Sequence, residues 1–264
     1  MARTMIMRSQ DGQILHLECH ESLPSVVELA RKQARAGITN GHVIFSEKQT
    51  GVDIFGHPLK NGETESGVFM SCILRPSFFP SQSGFLGAIS AVSLISALEE
   101  HTTKNLGLGW ISDVFCEGRK IGTTSIEAKL DSFGTFDYII VSFFVKITEQ
   151  DFPPRLTDLI KKVFESENTS ISLIIAKNIL SKFFSFYPKK VKSPEKIVDV
   201  YKRKFILSGI STKYIEDGRK KNCKILGINS ADGTLIIETS DGVKKHINGT
   251  KNIIIPTKIK LKNT

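Results

Sequence analysis

The sequence predicts an α+β fold in which a mixed β-sheet flanked by helices is followed by a small C-terminal β-barrel. Three segments place apolar residues at the spacing of helices that pack on a sheet: residues 25–35, 84–100 and 170–186. Strand-like apolar runs lie between them, at residues 43–51, 66–76 and 134–147. Beyond residue 194, short apolar runs alternate with Asp-Gly and Asn-Gly pairs, which are typical of the tight turns in a small barrel.

The length of 264 residues suffices for a medium domain and a small one. A Pro- and Lys-rich stretch at residues 187–194 has the composition of a link between them. We therefore expect one domain at residues 1–190 and the barrel at residues 191–264.

The helices of the first domain have recognisable ends. Pro24 suits the first turn of the helix at residues 25–35, and Gly37 ends it. In the helix at residues 84–100, Ala88 and Ala91 allow close packing on a sheet. Pro153-Pro154 predicts the start of a further helix that extends to Phe164. The segment between the first and second strand-like runs, at residues 48–67, is rich in glycine and polar residues and is expected to be a mobile loop.

The stretch at residues 109–122 predicts a hairpin that presents a lysine. Residues 114–116 and 121–126 have strand composition, and Gly118 supplies the backbone freedom for a turn between them. Lys120 directly follows this turn. Its side chain either points along the sheet into a cleft or remains a solvated charge beside the hairpin.

The strongest short hairpin signal lies in the C-terminal quarter. Residues 224–228 and 234–238 are apolar runs that flank an Asp-Gly pair. Further turn pairs follow at residues 241–242 and 248–249. Several short strands at such close intervals predict a barrel without reference to any known protein.

The net charge of +9 is concentrated near the C-terminus. From Lys189 onward the chain holds 18 basic and 7 acidic residues, so this part carries +11 and the preceding 188 residues carry −2. A basic region of this kind can bind an acidic protein, a nucleic acid or an anionic membrane, or it can be a solvated surface. Because no motif interleaves basic residues with aromatics, we do not expect a nucleic-acid partner.

The cysteines and the apolar runs indicate the compartment. The four cysteines are far apart and form no metal-type pair, which favours a reducing environment and no metal-ligating residues. No apolar run reaches the roughly 18–20 residues needed to cross a bilayer. Residues 1–11 lack the apolar block of a signal peptide. We therefore expect a cytoplasmic protein without membrane contact, with a brief organellar presequence as the alternative.

Residues 109–122 resemble the central motif of the biotin–protein ligase family, in which a Lys-Trp-Pro-Asn-Asp strand leads through a turn to Gly-Arg-Lys. The matching positions are Trp110, Asp113, Gly118, Arg119, Lys120, Ile121 and Gly122. The lysine, proline and asparagine of the motif are replaced by Gly109, Ile111 and Ser112. Other segments fall in the family's order, from residues 21–25 to the hairpin at residues 224–238, so the resemblance covers nearly the whole chain.

The resemblance implies an ATP-dependent ligase that forms biotinyl-adenylate from biotin and ATP, with Mg²⁺, and passes biotin to a lysine of a carrier domain. Lys120 is the implied catalytic residue, because a compact cation offsets the repulsion between a carboxylate and a phosphate. The implied ligand-binding residues are Ser22 (or Ser25 in its place), Gln49, Gly51, Gly56, Trp110, Asp113, Arg119 and Gly122. A biotin carboxyl carrier-type domain, commonly acidic, is the implied partner of the basic region.

The adenylate loop of the family is altered in this chain. Of its glycines only Gly51 and Gly56 remain, and its two arginine positions hold Val52 and Ile54. Asp53 adds a negative charge to the loop. Since a loop that cradles phosphates needs glycines for close backbone approach and cations for charge, this change weakens the expected nucleotide site.

A family strand rich in glycine is altered as well. Within residues 138–147, Ser142 and Phe144 replace two glycines and Lys146 replaces an asparagine. Phe144 either occupies the volume of the ligand or joins the core. Two alternatives to a ligase therefore remain: a catalytically degenerate binding module, and a lipoate or octanoate transferase of the same fold. The barrel and the Trp-x-x-Asp pattern favour the biotin branch over the second alternative.

Overall fold

The computed structural model describes residues 3–9, 12–53, 56–83, 85–147, 170–187, 195–229, 233–247, 252–256 and 258–259. Within these ranges the protein has an eight-stranded mixed sheet, four α-helices and a separate five-stranded antiparallel sheet near the C-terminus. This confirms the predicted α+β class. The helix predicted at residues 153–164 and the turn at residues 248–249 lie outside the described residues.

The large sheet has the strand order β1-β2-β3-β4-β8-β7-β6-β5. Its strands are β1 (Arg3–Arg8), β2 (Ile14–His20), β3 (His42–Gln49), β4 (Glu65–Leu74), β5 (Leu106–Leu108), β6 (Val114–Cys116), β7 (Arg119–Leu130) and β8 (Phe136–Lys146). The pair β2 and β3 is parallel, and the other neighbouring strands are antiparallel. The α-helix that joins β2 to β3 makes their parallel pairing possible.

Helices cover both faces of this sheet. They are α1 (Val26–Arg35), α2 (Leu86–Glu99), α3 (Ile171–Phe186) and α4 (Glu195–Lys204), and a short 3₁₀ helix spans Pro80–Gln82. The first helix packs on one face, where alternate strand residues such as Phe69, Ile140 and Phe144 form a small core with Val26 and Ala30. The larger core lies on the opposite face, under α2 and α3. None of the described helices is long and apolar enough to cross a membrane.

The second sheet has the order β12-β11-β10-β9-β13 and a core of its own. Its strands are β9 (Ser211–Glu216), β10 (Arg219–Ile228), β11 (Leu235–Thr239), β12 (Lys244–Ile247) and β13 (Ile253–Ile254). Two residues of the first sheet region, Trp110 and Phe115, are buried in this second core. The two units therefore share apolar side chains instead of being connected by the chain alone.

The helix between the two sheets packs against the first unit. Ile197 and Tyr201 of α4 are buried in the core of the large sheet. Residues 188–194, where we placed the domain boundary, lie outside the described residues, and the boundary at residue 190 stays a prediction.

Candidate functional site

A cleft of about 610 Å³ lies where α1, the loop after β3, the hairpin β6–β7 and the second sheet meet. This volume is within the range of small-molecule sites. Its lining comprises Ser25, Val27, Glu28, Arg31, Gln49, Val52, Asp53, Gly56, Trp110, Ile111, Ser112, Asp113, Lys120, Thr123, Thr124, Ser125, Glu127, Phe144, Ile253 and Ile255. The predicted residues Gln49, Gly56, Trp110, Asp113 and Lys120 are thus brought together, although they come from two separate segments of the chain.

A two-residue turn places Lys120 in this cleft. Glu117 and Gly118 have φ values of 48° and 81°, and they join β6 directly to β7. Positive φ at both central residues is the signature of a type I′ turn, whose twist matches that of the flanking strands. An irregularity in the β6–β7 pairing follows, with Lys120 opposite Phe115 and Gly122 opposite Val114. The side chain of Lys120 lines the cleft and does not project into solvent.

Lys120 forms an ion pair with Asp113 inside the cleft. Lys120 Nζ lies 2.8 Å from Asp113 Oδ1, and the two side chains are only 14% and 12% exposed. The hydroxyl of Thr123 donates to the same carboxylate oxygen at 2.7 Å. Because this pair is shielded from water on most sides, its attraction exceeds that of an ordinary surface ion pair.

The loop that carries Asp113 is closed and held from several directions. Gly109 N donates to Asp113 O at 2.8 Å, and the Trp110–Ile111 peptide bond within this loop is cis. Trp110 Nε1 donates to Gly233 O of the second sheet region at 3.2 Å, and its ring is only 3% exposed. The tryptophan therefore borders the cleft while its ring packs in the core of the second sheet.

Gln49 joins three segments at the other side of the cleft. Its Oε1 accepts a hydrogen bond from Val26 N at the start of α1, at 2.8 Å. Its Nε2 donates to Val52 O in the following loop, at 3.2 Å. The side chain is fully buried, and it satisfies one of the free N–H groups at the helix start. Gln49 thus fixes the position of the loop relative to α1.

The loop at residues 51–58 is closed by its own side chains. Asp53 Oδ1 accepts from His57 N at 2.8 Å, and Asp53 Oδ2 lies 3.0 Å from His57 Nδ1. Gly51 N donates to Pro24 O, and a Cβ at Gly51 would lie 2.7 Å from that oxygen. Gly51 is therefore required for close packing against the segment before α1. Gly56 has a φ of +82°, which glycine adopts without strain.

Phe144 both lines the cleft and joins the core beneath α1. Its side chain is 9% exposed and packs edge-on against Phe69, with ring centroids 6.4 Å apart. Its neighbour on the same face, Ser142, is buried and shares a hydrogen bond of 2.8 Å with Ser71. The two outcomes that the sequence left open are therefore combined, since the ring belongs to the core and also forms part of the cleft floor.

The charges that line the cleft are arranged in pairs. Arg31 of α1 spans to Glu127 of β7, with Nη2 2.9 Å from Oε1 and Nε 3.1 Å from Oε2, and it also contacts Glu28. Together with Asp53, Asp113 and Lys120, the lining holds four carboxylates and two cations. The surplus is negative, as expected from the loss of the loop arginines. Among the described residues, no group of three or more His, Cys, Asp or Glu side chains could hold a metal ion.

Four of the predicted binding residues are not part of the cleft lining. Ser22 is exposed, whereas Ser25, its alternative, lines the cleft and caps α1 through a bond from Glu28 N. Arg119 pairs with Lys258 in an isolated bridge beside the second sheet. A Cβ at Gly122 would lie 2.9 Å from Phe144 O, so this glycine permits close strand approach in the same way as Gly51.

Several residues that shape the cleft carried no sequence signal. Arg31 and Glu127 are 96 positions apart, and each belongs to an ordinary pattern of surface charges. Thr123 follows the lysine motif and contacts Asp113, and Ser112 donates to Thr124 O at 2.8 Å. Only the period-two alternation along β7, once its register was known, could have placed Thr123 and Glu127 on the same face.

No protein-family model matches the chain. The chain is 26% identical over 239 residues to the bifunctional ligase/repressor BirA of Bacillus subtilis, an alignment that covers 87% of this chain and 71% of the relative. The corresponding protein of Bacillus spizizenii is 24% identical, with the same coverage. The sequence similarity therefore extends over both units of the fold.

Solved structures with the same fold are biotin protein ligases and a ligase-like protein. The enzyme from Aquifex aeolicus superposes with a TM-score of 0.62 at 19% identity, covering 89% of this chain and 96% of that chain. A biotin protein ligase-like protein of unknown function from Silicibacter sp. gives a TM-score of 0.59 at 14% identity, covering 92% and 96%. The chain is thus similar to BirA relatives in sequence and to biotin protein ligases in fold.

Proposed function

We propose that the protein is an ATP-dependent biotin–protein ligase, which forms biotinyl-adenylate and transfers biotin to a lysine of a biotin carboxyl carrier-type domain. The observation that carries this proposal is the buried pair of Lys120 and Asp113 at one wall of the cleft, 2.8 Å apart. Relatives of this fold have been solved with biotin and ATP or with biotinyl-5-AMP bound. The BirA relatives are described as ligases.

The cleft fits the expected ligands in size and in its mixture of apolar and hydroxyl groups. Val27, Ile111 and Phe144 provide apolar surface for an acyl chain, and Ser112 and Ser125 provide polar groups. In addition, the lining residue Thr124 has a buried Oγ1 with no hydrogen-bond partner among the described residues. A bound ligand can supply such a partner.

In the first step, a carboxylate oxygen of biotin attacks the α-phosphorus of ATP, and the bond to pyrophosphate breaks. Lys120 is the cation of the cleft that is placed to offset the meeting of these two anions. Because Lys120 Nζ contacts Asp113, we expect an entering anion to share or replace that carboxylate. The ion pair keeps the lysine oriented until the ligand arrives.

In the second step, the amine of the acceptor lysine attacks the acyl carbon, the bond to AMP breaks, and the amine loses a proton. Mg²⁺ would reach the site with the phosphates of ATP, since the described residues form no metal site of their own. There it would neutralise phosphate charge beside Asp113, the carboxylate nearest to Lys120.

The basic C-terminal unit suits an acidic carrier domain. Exposed lysines on β9, β10 and β12 include Lys213, Lys220, Lys224 and Lys244. A charge excess of this kind steers an oppositely charged partner toward the cleft. A cytoplasmic location is part of the same proposal, since all four cysteines are free and three of them are buried.

The proposal is tested by incubating the purified protein with biotin, ATP, Mg²⁺ and a biotin carboxyl carrier domain. We expect pyrophosphate release and a carrier that gains the mass of biotin. Lys120→Ala should lower the rate on the order of 100-fold, as for loss of other transition-state contacts. Lys129→Ala is the matched control, because Lys129 lies on the same strand but pairs with Asp137 outside the cleft. Equal rates for the two variants would mean that Lys120 takes no part in the reaction.

A second candidate is a non-catalytic binding module, and a specific observation favours it. The loop at residues 51–58 lacks the expected arginines, and its acid, Asp53, is paired with His57 of the same loop. In that case the wild-type protein would release no pyrophosphate from biotin and ATP. Biotin alone would still raise the melting temperature if the cleft binds it.

A further inference from the structure

Tyr201 of α4 reaches the loop that carries Asp113, although it is 88 positions distant in the chain and does not line the cleft. Its hydroxyl lies 2.7 Å from Gly109 O and 2.6 Å from Ile111 O. The side chain is 4% exposed. Since the hydroxyl has one proton, it is shared between two carbonyls on either side of Trp110.

The burial of this hydroxyl keeps it a hydrogen-bond donor. Burial, followed by the negative charge of Asp113, raises the pKa of Tyr201 well above its ordinary value. The phenol is therefore protonated throughout the physiological range. Without it, the carbonyls of Gly109 and Ile111 would lose this donor in an interior where an unmet polar group is costly.

The segment after α4 is also fixed against the first sheet. Ile206 N donates to Leu108 O at 3.0 Å. A Cβ at Gly107 would lie 2.3 Å from the side chain of Ile206. The close approach of the two segments therefore requires glycine at this position. Because α4 and its continuation are held on β5, Tyr201 offers the loop a fixed point of support.

Trp110 completes the attachment from the other side. Its indole N–H donates to Gly233 O, and its ring is buried with side chains of the second sheet, including Leu235 and Ile237. The backbone of the loop at residues 109–113 is therefore held by Tyr201 of α4, and Trp110 of the same loop is held by the second sheet. Asp113, at the end of this loop, contacts Lys120.

We propose that Tyr201 is a positioning residue for the ligation reaction, because its hydroxyl fixes the loop at residues 109–113 and thereby the Asp113–Lys120 pair. This inference rests on the proposed function. It assigns to α4 and the second sheet a role in orienting Lys120, in addition to any contact with the carrier. A displacement of about 1 Å at a catalytic group can cost on the order of 100-fold in rate.

The test compares Tyr201→Phe with Tyr187→Phe in the full chain. Tyr187 is also buried in the large core, but its ring stacks on Phe183 of α3. For Tyr201→Phe we expect kcat for carrier modification to fall about 10-fold, while KM for biotin changes by less than about 3-fold because the acyl contacts remain. Tyr187→Phe should change neither constant by more than about 2-fold. Equal kinetic constants for the two variants would overturn the proposal.

A double-mutant comparison separates positioning from a general structural effect. If Tyr201 acts through Lys120, then Tyr201→Phe should lower the rate no further in a Lys120→Ala background. An undiminished loss in that background would show that the tyrosine acts elsewhere, and the proposal would fail.

The single tryptophan allows the inference to be judged separately from the proposed function. Tyr201→Phe should shift the emission of Trp110 to longer wavelength and increase its quenching by acrylamide, and Tyr187→Phe should not. If the wild-type protein ligates no biotin, the proposed function fails. The positioning role of Tyr201 would then be judged by the urea midpoints of Tyr201→Phe, Asp113→Asn and the double variant. Non-additive midpoints together with the emission shift would support it, whereas additive midpoints or unchanged emission would refute it.

Discussion

The two walls of the cleft hold their charged side chains in different ways. One wall, formed by residues 109–123 and here termed the lysine wall, pairs Lys120 with Asp113 through side chains that are 14% and 12% exposed. The opposite wall, formed by residues 49–53, residues 56–58 and Phe144 and here termed the loop wall, pairs Asp53 with a His57 that is 73% exposed. The first pair is shielded and braced by distant segments, and the second is a local contact within one loop.

This difference shows which wall holds its charged side chain with more support. On the lysine wall, a type I′ turn, an ion pair and contacts from α4 and the second sheet all support one cation. On the loop wall, Gln49 and Gly51 serve the packing of the chain against α1, and Val52 provides no charge. A phosphate in the cleft would therefore lie between the oriented cation Lys120 on one wall and the carboxylate of Asp53 on the other.

The largest expected effect concerns the aromatic floor of the loop wall. Phe144→Ala should lower the free energy of unfolding by about 3 kcal/mol, because a nearly buried phenyl ring is removed from the core beneath α1. The same change opens the cleft floor. We therefore expect biotin to raise the melting temperature of the variant by more than it raises that of the wild-type protein.

Phe143→Ala is the matched control for this prediction. Phe143 is the next residue of β8, is fully buried and packs into the core on the opposite face. Its truncation should destabilise the protein by a similar amount and leave the response to biotin unchanged. If both variants respond to biotin as the wild-type protein does, Phe144 does not restrict the cleft.

The two acids of the cleft allow the walls to be compared directly. Asp113→Asn should lower the free energy of unfolding by about 1–3 kcal/mol, because Lys120 is left largely buried without its counter-ion. Asp53→Asn should lower it by less than about 1 kcal/mol, because its partner His57 is mostly exposed to solvent. Urea denaturation of both variants gives these values, and an equal loss would mean that the two walls do not differ in their electrostatic support.

The same pair of variants has an expected response to ligand. In Asp113→Asn, an anionic ligand replaces the missing carboxylate beside Lys120, so the rise in melting temperature with biotin and ATP should exceed that of the wild-type protein. In Asp53→Asn, one negative charge is removed from the loop wall, and the melting temperature should rise by less than it does in Asp113→Asn. A response confined to Asp53→Asn would place the anion site on the loop wall.

Local sequence chemistry predicted the lysine wall, because its main determinants lie within a few residues. Gly118 gave the turn, strand composition gave β6 and β7, and the motif placed Asp113 and Lys120 near one another. The helices α1, α2 and α3 were predicted for a similar reason, since each has apolar residues at helical spacing that the structure buries. These predictions are confirmed to within two residues at the helix ends.

The remaining parts of the site depend on contacts between distant residues. Tyr201 contacts Ile111 from 90 positions away, and Arg31 contacts Glu127 from 96 positions away. Nothing in the local pattern of either segment signals these partners. Similarly, β1 was not predicted, because this edge strand pairs only with β2 and is mostly exposed, which leaves little apolar alternation in its sequence. The roles of Ser22, Arg119 and the other binding residues stay predictions.

The smallest expected effect is a pH dependence of the support that the second sheet gives to the lysine wall. Glu216 accepts hydrogen bonds from Lys221 and Lys245, which lower the pKa of its carboxyl from 4.5 to about 2. Lys245 also lies over the ring of Tyr214, which belongs to the same core as Trp110. This carboxyl therefore joins three strands of the second sheet at the edge of the core that holds the tryptophan.

The sign of the effect follows from the lowered pKa. The unfolded chain binds a proton at Glu216 more readily than the folded protein does, so the stabilisation is fully present above about pH 4.5 and is lost as the pH falls toward 2. Acid titration of the wild-type protein, followed by the emission of Trp110, should show a loosening in this window that is absent in Glu216→Gln. Since the lysine wall shares Trp110 with the second sheet while the loop wall does not, an identical acid response in both proteins would mean that the Glu216 ion pairs do not contribute to the support of the lysine wall.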